Sequence, residues 1–290
     1  MTHVVVTGAT SGIGEAIARR LAEESTVTLI GRDPDRLVAA RERIASSVAG
    51  ADLPVECVDL AELAQVRALV DRLLAGPPPD VVISSAALVA ALRRTTSDGL
   101  PPALAVNHLA PYLLLRSVAE NCERVRLIVI SSDPVLLATA PVDLDDLLFT
   151  RPAHLGDPVE LRSYQAYIRT KSMNAMFVRA LARRTAGTAV TTNCCHPGLV
   201  PGTGLLREEP GLQEVLRKAR RAGAPSSAGL RTPERGADTP VWLATSLEAS
   251  GVSGSFFVDR EVVEVPPHIE DLERCERLWD ASAALVGLPP

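Results

Sequence analysis

The stretch TGATSGIG at residues 7–14 follows a short apolar run, VVVT at 4–7, and precedes a segment with helical spacing of apolar residues at 14–24. Its glycines lack a Cβ, so the backbone can turn tightly and approach a pyrophosphate closely. The start of the following helix offers free N–H groups and the positive end of the helix dipole to phosphates. A strand, a glycine-rich turn and a helix in this order predict a dinucleotide-binding βαβ unit; a bare glycine turn is the alternative.

Apolar strands and amphipathic helices alternate along the rest of the chain. Further strands are predicted at 26–30, 55–58, 81–84, 126–131, 190–195 and 254–258. Continuous apolar strands joined by helices are typical of a parallel sheet covered on both faces. The sequence therefore predicts an α/β fold with a Rossmann-like doubly wound parallel sheet in three layers. We expect one domain over residues 1–290, because no repeat or linker divides the chain.

Three segments depart from this alternation of strands and helices. Residues 133–163 are polar and proline-rich, and we expect them to form a pocket insert; a metal site built from Asp143, Asp145 and Asp146 is the alternative to a surface turn. Residues 205–232 are basic, and we expect a substrate lid there, with a solvated helix as the alternative. Residues 268–290 are expected to form a C-terminal helical extension.

Composition narrows the class of protein. The 290 residues are 47% hydrophobic and 3% aromatic, and the formal net charge is −5. Without a basic run, neither nucleic acid nor an anionic membrane surface is an expected partner. No secretory signal or membrane span is evident, so we expect a cytoplasmic protein. Without a CxxC pair we expect reduced thiols and no metal site at the five cysteines Cys57, Cys122, Cys194, Cys195 and Cys275.

The end of the second strand bears on the choice of cofactor. An acidic side chain there binds the ribose 2′-hydroxyl of NAD, whereas an arginine accommodates the 2′-phosphate of NADP. This strand ends in Gly31-Arg32-Asp33. Arg32 therefore predicts NADP(H), with a solvated arginine as the alternative, and Asp33 is interpreted as the cap of the next helix. Asp59, after the third strand, is predicted either to contact the adenine or to cap a helix.

Candidate catalytic residues follow from the spacing of Tyr167 and Lys171, which share one face of a helix. A neighbouring ammonium should lower the pKa of the phenol, so that Tyr167 can exchange a proton with a substrate hydroxyl. Ser132 ends a strand and can hydrogen-bond the substrate oxygen. Asn107 is a candidate to hold a proton-relay water near Lys171.

The ordered set TGATSGIG, Asp59, Asn107, Ser132, YxxxK and CHPG at 195–198 resembles the short-chain dehydrogenase/reductase family. The stretches GRDPDRL, VNHLAPYLLL and HPGLVPGTGLLRE resemble its retinol-dehydrogenase-like and protochlorophyllide-reductase-like branch. The resemblance implies a seven-stranded sheet and a tetrad of Asn107, Ser132, Tyr167 and Lys171. It also implies that Lys171 bonds the nicotinamide ribose and that residues after Pro197 cover the nicotinamide.

The motifs and the resemblance together give the expected cofactor contacts. These are Gly8, Thr10, Ser11, Gly12, Ile13, Gly14, Arg32, Asp59, Leu60, Ser85, Ala86, Tyr167, Lys171, Pro197, Gly198, Val200 and Thr203. The chain departs from the family where Ser84-Ser85-Ala86-Ala87 replaces Asn-Asn-Ala-Gly. We expect Ser85 to replace part of the asparagine's backbone tie and Ala87 to crowd the ribose. Gly202 replaces the family's threonine, and Thr203 is expected to reach the carboxamide instead.

The expected function is that of an NADP(H)-dependent oxidoreductase, a ketone or aldehyde reductase of biosynthesis, acting as a monomer or homodimer. Its substrate is expected to be a fairly apolar carbonyl compound or alcohol, because the candidate pocket residues are mostly aliphatic: Leu88, Pro134, Val135, Leu136, Tyr164, Leu199, Leu205 and Leu206. A non-redox member of the fold, either an isomerase or dehydratase or an NADP-sensing binding protein, is the alternative. The altered SSAA stretch favours that alternative, and the intact Tyr167–Lys171 pair opposes it.

Overall fold

A single twisted sheet forms the centre of the computed structural model, which describes residues 2–209, 211–212, 214, 218 and 229–290. Its strands are β1 (Thr2–Thr7), β2 (Ser25–Gly31), β3 (Val55–Cys57), β4 (Val81–Ser84), β5 (Arg124–Ile130), β6 (Ala189–His196), β7 (Phe256–Val258) and β8 (Glu261–Val262). Their order is β3-β2-β1-β4-β5-β6-β7-β8. The doubly wound parallel sheet predicted from the sequence is confirmed.

Strand β8 is an addition to the seven strands that the family resemblance implies. It pairs antiparallel with β7, through Phe257 with Val262 and Val258 with Glu261. The connecting residues Asp259 and Arg260 both have positive φ, 54° and 67°. Two left-handed residues in succession make a tight turn possible, and the chain folds back as a two-residue hairpin at the sheet edge.

Helices cover both faces of the sheet. They are α1 (Gly12–Leu21), α2 (Pro34–Ser47), α3 (Leu63–Ala75), α4 (Pro102–Leu104), α5 (Ala110–Asn121), α6 (Pro134–Thr139), α7 (Arg162–Arg184), α8 (Pro233–Gly236), α9 (Asp238–Thr245), α10 (Pro267–Glu270) and α11 (Leu272–Leu285). A π-helical turn, Ala105–Leu109, joins α4 to α5. Short 3₁₀ turns occupy Pro152–Leu155, Val159–Leu161 and Gly204–Leu206.

Two apolar clusters separate the layers. One packs α3, α5, α7 and α11 on the sheet, and the other packs α1, α2 and α9 on the opposite face. Cys194 belongs to the first cluster and its neighbour Cys195 to the second, as alternation along a strand requires. All five cysteines are free, and only Cys57 is exposed. The three-layer arrangement predicted from the sequence is thus confirmed.

The predicted cap of α2 is confirmed. The Asp33 carboxylate accepts a hydrogen bond from the backbone N–H of Arg36 at 3.1 Å, and Pro34 occupies the first turn. This cap fixes where β2 gives way to α2. It therefore also fixes the position of Arg32, the residue just before it.

The C-terminal extension consists of α10 and α11 and packs on α5 and α7. The guanidinium groups of Arg116 and Arg184 lie 4.6 and 3.9 Å from the centroid of the Trp279 ring. Tyr112 donates its hydroxyl to the Trp279 carbonyl at 3.1 Å, and His108 Nε2 lies 2.8 Å from Ser282 Oγ. These contacts anchor the extension on α5 and α7, the two helices that flank the candidate site.

The acidic residues of the 133–163 insert hold its backbone in place. Asp146 accepts hydrogen bonds from the backbone N–H groups of Thr150 and Arg151, and Asp143 pairs with Arg151 and His154. Among the described residues, no group of three or more His, Cys, Asp or Glu side chains could hold a metal ion. These acids thus form a turn in which Asp145 is exposed and Asp146 is buried, so the solvated surface turn describes Asp145 but not Asp146.

The predicted lid at 205–232 is described only at 205–209, 211–212, 214, 218 and 229–232. The prediction for its basic part, EVLRKARRAGA at 214–224, falls mostly outside the described residues. Within the described ranges, no helix has both the length and the apolar character needed to cross a membrane.

Candidate active site and cofactor cleft

A cavity of about 270 Å³ runs along the carboxyl ends of β1, β2, β4, β5 and β6. It lies where the strand order reverses between β1 and β4, the place where ligands bind in open parallel sheets. The glycine-rich turn and the Tyr167–Lys171 pair line the same cavity. Of the residues predicted to bind cofactor, it is lined by Gly8, Thr10, Ser11, Ile13, Gly14, Arg32, Leu60, Ser85, Ala86, Tyr167, Lys171, Pro197, Gly198, Val200 and Thr203.

Two glycines of the turn have no room for a side chain. Gly8 has a φ of 69°, and a Cβ there would lie 2.8 Å from Ala86 Cα. A Cβ on Gly14 would lie 2.3 Å from the Gly8 carbonyl oxygen, where α1 crosses the turn. Gly12 has a φ of 59° and is not among the residues lining the cavity. The turn is therefore a backbone cradle that glycine alone can form, as a phosphate-binding turn requires.

The SSAA stretch is tied to the glycine turn by Thr7. Its hydroxyl oxygen accepts hydrogen bonds from the backbone N–H groups of both Ser85 and Ala86, each at 3.1 Å. A hydroxyl from the adjacent strand thus holds this stretch, and the part expected of the Ser85 side chain stays a prediction. Ala87 lines the cavity, so the prediction that it crowds the ribose stays open.

The end of the cavity at Arg32 is basic. Arg32 lines it and donates to Glu208 at 3.1 Å, and Arg36 donates to the Ser11 hydroxyl at 3.3 Å. Arg207 and Glu208 line the same end. The sequence analysis missed Arg36, Arg207 and Glu208. Arg36 lies one helical turn after Arg32 and could have been found from that spacing. Arg207 and Glu208 belong to a loop that is distant in sequence.

Asp59 lies beside the cavity and not in its lining, which passes through Val58 and Leu60. The Asp59 carboxylate accepts a hydrogen bond from the backbone N–H of Ala61 at 2.9 Å. Asp98 bonds the first N–H of α3, that of Leu63, at 3.0 Å. The carboxylate of Asp59 thus closes a turn before α3, and its contact with an adenine remains a prediction.

Tyr167 and Lys171 point from α7 toward the end of β5. Lys171 is 2% exposed, and its ammonium donates to the Ile130 carbonyl at 2.8 Å, 5.7 Å from the centroid of the Tyr167 ring. Burial lowers the pKa of Lys171 to about 8. Ser132, two residues after the end of β5, lies beside the phenol in the cavity lining. The structure therefore brings three of the four predicted catalytic side chains together.

The expected effect of Lys171 on the phenol needs a correction. Burial raises the pKa of Tyr167, and the charge of Tyr164 adds to the rise, while a hydrogen bond with Ser132 opposes it. The Lys171 ammonium is held by the Ile130 carbonyl and not by the phenol oxygen, and burial of the phenol sets the direction in which its pKa moves. The buried phenol is thus protonated at neutral pH, the form that donates a proton to a carbonyl oxygen.

Asn107 lies in the π-helical turn, and its side chain bonds Leu88 and Thr170 rather than Lys171. Its amide accepts from the backbone N–H of Leu88 at 2.8 Å and donates to the Leu88 carbonyl at 2.9 Å and to Thr170 at 3.1 Å. Its own carbonyl accepts from Asn174 at 2.8 Å. Asn107 therefore fastens the loop after β4 to α7. Its role in holding a relay water remains a prediction.

The end of β6 forms the opposite wall of the cavity, through Pro197, Gly198 and Val200. The Thr203 methyl group would lie 3.2 Å from a Cβ on Gly12, so this segment closes directly on the glycine turn. His196 is an unpredicted residue of the lining. Burial lowers its pKa to about 4, and neither ring nitrogen has a hydrogen-bond partner in the described structure.

The predicted substrate residues divide into two groups. Leu88, Tyr164, Leu199 and Leu205 line the cavity. Pro134, Val135, Leu136 and Leu206 do not line it. The first three of these fall in the single short turn of α6, whose cap Asp133 bonds the Val135 N–H at 3.0 Å; Val135 itself is exposed and Leu137 is the buried residue of that turn. The prediction of an aliphatic wall from 134–136 is therefore wrong for this cavity.

Comparison with known proteins decides the family. A model described as short chain dehydrogenase matches residues 2–136. A protein of Streptomyces sp. (strain C5) named as a daunorubicin C-13 ketoreductase is 37% identical over 98% of this chain and 92% of its own length. The chain belongs to the short-chain dehydrogenase/reductase family. Human retinol dehydrogenase 14 is 33% identical over 98% of this chain and 86% of its own.

A solved structure extends the likeness to three dimensions. It is the 3-oxoacyl (acyl-carrier-protein) reductase of Agrobacterium tumefaciens C58 with NADP bound, 26% identical, covering 88% of this chain and 92% of that one, with a TM-score of 0.64. Members of this oxidoreductase family use a nicotinamide cofactor. The resemblance to the retinol-dehydrogenase-like branch is confirmed by these relatives.

Proposed function

We propose that this chain is an NADP(H)-dependent reductase that transfers a hydride between nicotinamide and a carbonyl group of a fairly apolar ketone or aldehyde. The observation that carries the proposal is one cavity lined by the glycine cradle, three arginines and the Ser132–Tyr167–Lys171 group. The names of the relatives, a ketoreductase and a retinol dehydrogenase, support a carbonyl or alcohol substrate. The Streptomyces relative also supports a role in biosynthesis.

Features of the cavity itself support a dinucleotide as its ligand. A Cβ on Gly8 or Gly14 would collide with the backbone of Ala86 or Gly8, so only glycine permits this tight turn at the start of α1, where free N–H groups suit phosphates. Arg32, Arg36 and Arg207 at the far end suit a 2′-phosphate. NADPH, when bound, supplies the hydride.

Tyr167 is the proposed proton donor in reduction. Its buried, protonated phenol gives a proton to the substrate oxygen as the hydride arrives at the carbonyl carbon, and it takes the proton back in oxidation. Ser132 orients that oxygen by a hydrogen bond. Lys171, held at the Ile130 carbonyl, stabilises the phenolate that proton transfer leaves behind. Hydride and proton together convert the C=O group to CH–OH.

The aliphatic lining of the substrate end supports an apolar substrate. Leu88, Leu199 and Leu205 face the cavity together with Tyr164. The Thr7 hydroxyl bonds the backbone of the altered SSAA stretch, which supports the reductase over the non-redox alternative. No observation in the described residues favours a second function.

Arg32→Ala tests the cofactor assignment during turnover. We expect the KM for NADPH to rise about 10- to 100-fold with lipophilic ketones and aldehydes as substrates, since a charged hydrogen bond to the 2′-phosphate contributes about 1.5–3 kcal/mol. The KM for NADH should change little. Arg41→Ala removes an exposed arginine of α2 that does not line the cavity and is the matched control. An equal rise for both cofactors would show that Arg32 does not contact a 2′-phosphate.

A further inference from the structure

Glu208 places a carboxylate at the basic end of the cavity, beside Arg32, which the proposed function assigns to the adenosine of the cofactor. We call this the adenosine end. The Glu208 carboxylate accepts from Arg32 at 3.1 Å on one side and from Arg94 on the other. The Glu208 side chain is 18% exposed, whereas Arg32 and Arg94 are 48% and 54% exposed. A half-exposed ion pair alone contributes little to the free energy of folding. This carboxylate, however, pairs with two cations from separate loops and is itself largely shielded from solvent.

Glu208 pairs with the Arg32 guanidinium, the same group that would bind a 2′-phosphate. Arg32 stands where β2 ends, the position at which an arginine accommodates the 2′-phosphate of NADP. A phosphate monoester carries nearly two negative charges and three strong acceptor oxygens, against one charge and two oxygens for a carboxylate. The phosphate can therefore displace Glu208 from Arg32, but only by breaking an existing charged hydrogen bond.

The surrounding charges allow this exchange. Arg36 and Arg207 line the same end of the cavity, and the only acids in its lining, within the described residues, are Asp33 and Glu208. Asp33 is committed to capping α2. Glu208 can remain paired with Arg94 when its bond to Arg32 is broken, so its negative charge keeps a cationic partner.

We propose that Glu208 is a specificity-determining residue that competes with the cofactor's 2′-phosphate for Arg32 and thereby weakens the preference for NADP(H) over NAD(H). The inference rests on the proposed function. It concerns the phosphorylated cofactor alone, because a ribose 2′-hydroxyl carries no charge and does not contend for the guanidinium. Glu208 thus tunes cofactor affinity without touching the nicotinamide or the substrate.

The test isolates the adenosine end with two fragments, adenosine 2′,5′-bisphosphate and adenosine 5′-monophosphate, titrated calorimetrically into the full chain. The variant is Glu208→Gln, which keeps the shape and removes the charge. Glu209→Gln is the matched control, because Glu209 is the next residue and its side chain makes no ion pair or hydrogen bond in the described part of the chain. Thermal unfolding of each variant verifies that it folds.

We expect Glu208→Gln to bind the bisphosphate about 10-fold more tightly than wild type does, with affinity for the monophosphate unchanged. Glu209→Gln should change bisphosphate affinity about 2-fold or less, since its charge acts only through solvent. Unchanged or weaker bisphosphate binding in Glu208→Gln would overturn the inference, and so would weaker binding of the monophosphate, which would mean that Glu208 bonds the ribose. Failure of wild type to prefer the bisphosphate would instead refute the proposed NADP(H) dependence, a separate result.

Discussion

Tyr167→Phe is expected to lower kcat for carbonyl reduction about 10²- to 10⁴-fold, the range that general acid catalysis contributes. The substitution removes the one buried phenol hydroxyl that lies beside both Ser132 and Lys171. Affinity for NADPH should stay close to that of wild type, because the phosphate cradle and the arginines are at other points of the cavity. Steady-state turnover and cofactor titration on the same preparation separate the two effects.

Tyr164→Phe is the matched control for this result. Its ring stacks on that of Tyr167 with centroids 5.7 Å apart, so the two variants remove the same atom from neighbouring rings of one helix. We expect Tyr164→Phe to alter KM for the substrate while retaining most of kcat. If turnover survived in Tyr167→Phe but was lost in Tyr164→Phe, Tyr164 and not Tyr167 would be the proton donor.

Lys171→Met is expected to change how stability depends on pH. Burial lowers the pKa of Lys171 to about 8 in the folded chain, from an ordinary value of 10.5. Between these two values the unfolded chain binds the proton and the folded chain has released it, so the free energy of unfolding of wild type rises with pH. The rise over this window is about 3 kcal/mol, from a shift of about 2.5 pKa units. The methionine variant lacks it.

Urea unfolding of wild type and variant, from pH 7 to 10.5, measures this difference. Below pH 8 the gap in unfolding free energy should be constant, and above it wild type should gain relative to Lys171→Met. Lys218→Met, which removes an exposed ammonium paired with Glu214, is the control and should follow wild type. Parallel curves for wild type and Lys171→Met would mean that Lys171 is not desolvated as the structure places it.

The parts of the site that the sequence predicted are those made by neighbouring residues. The glycine turn, the α2 cap at Asp33 and the Tyr167–Lys171 pair each lie within one turn or one helix, so local spacing is sufficient to find them. Ser132 could be found for a related reason, since it lies two residues after the end of the continuous apolar strand β5. Parallel strands bring such ends to one edge of the sheet.

The parts that the sequence did not predict depend on distant loops or on solvation. Arg207 and Glu208 belong to a segment far along the chain, since Arg32 and its partner Glu208 are 176 residues apart. Asn107 lies in a π-helical turn and bonds Leu88 and Thr170, partners that the spacing of residues does not indicate. The raised pKa of Tyr167 results from the burial of α7, which no spacing of residues reveals.

Titration of the wild-type chain with NADPH and NADH, followed by nicotinamide fluorescence, tests the central claim most directly because it needs no knowledge of the substrate. The basic end of the cavity predicts that NADPH binds at least about 10-fold more tightly than NADH, as one charged hydrogen bond to the 2′-phosphate requires. Equal affinity for the two cofactors, or binding of neither, would contradict the assignment of this cavity to NADP(H).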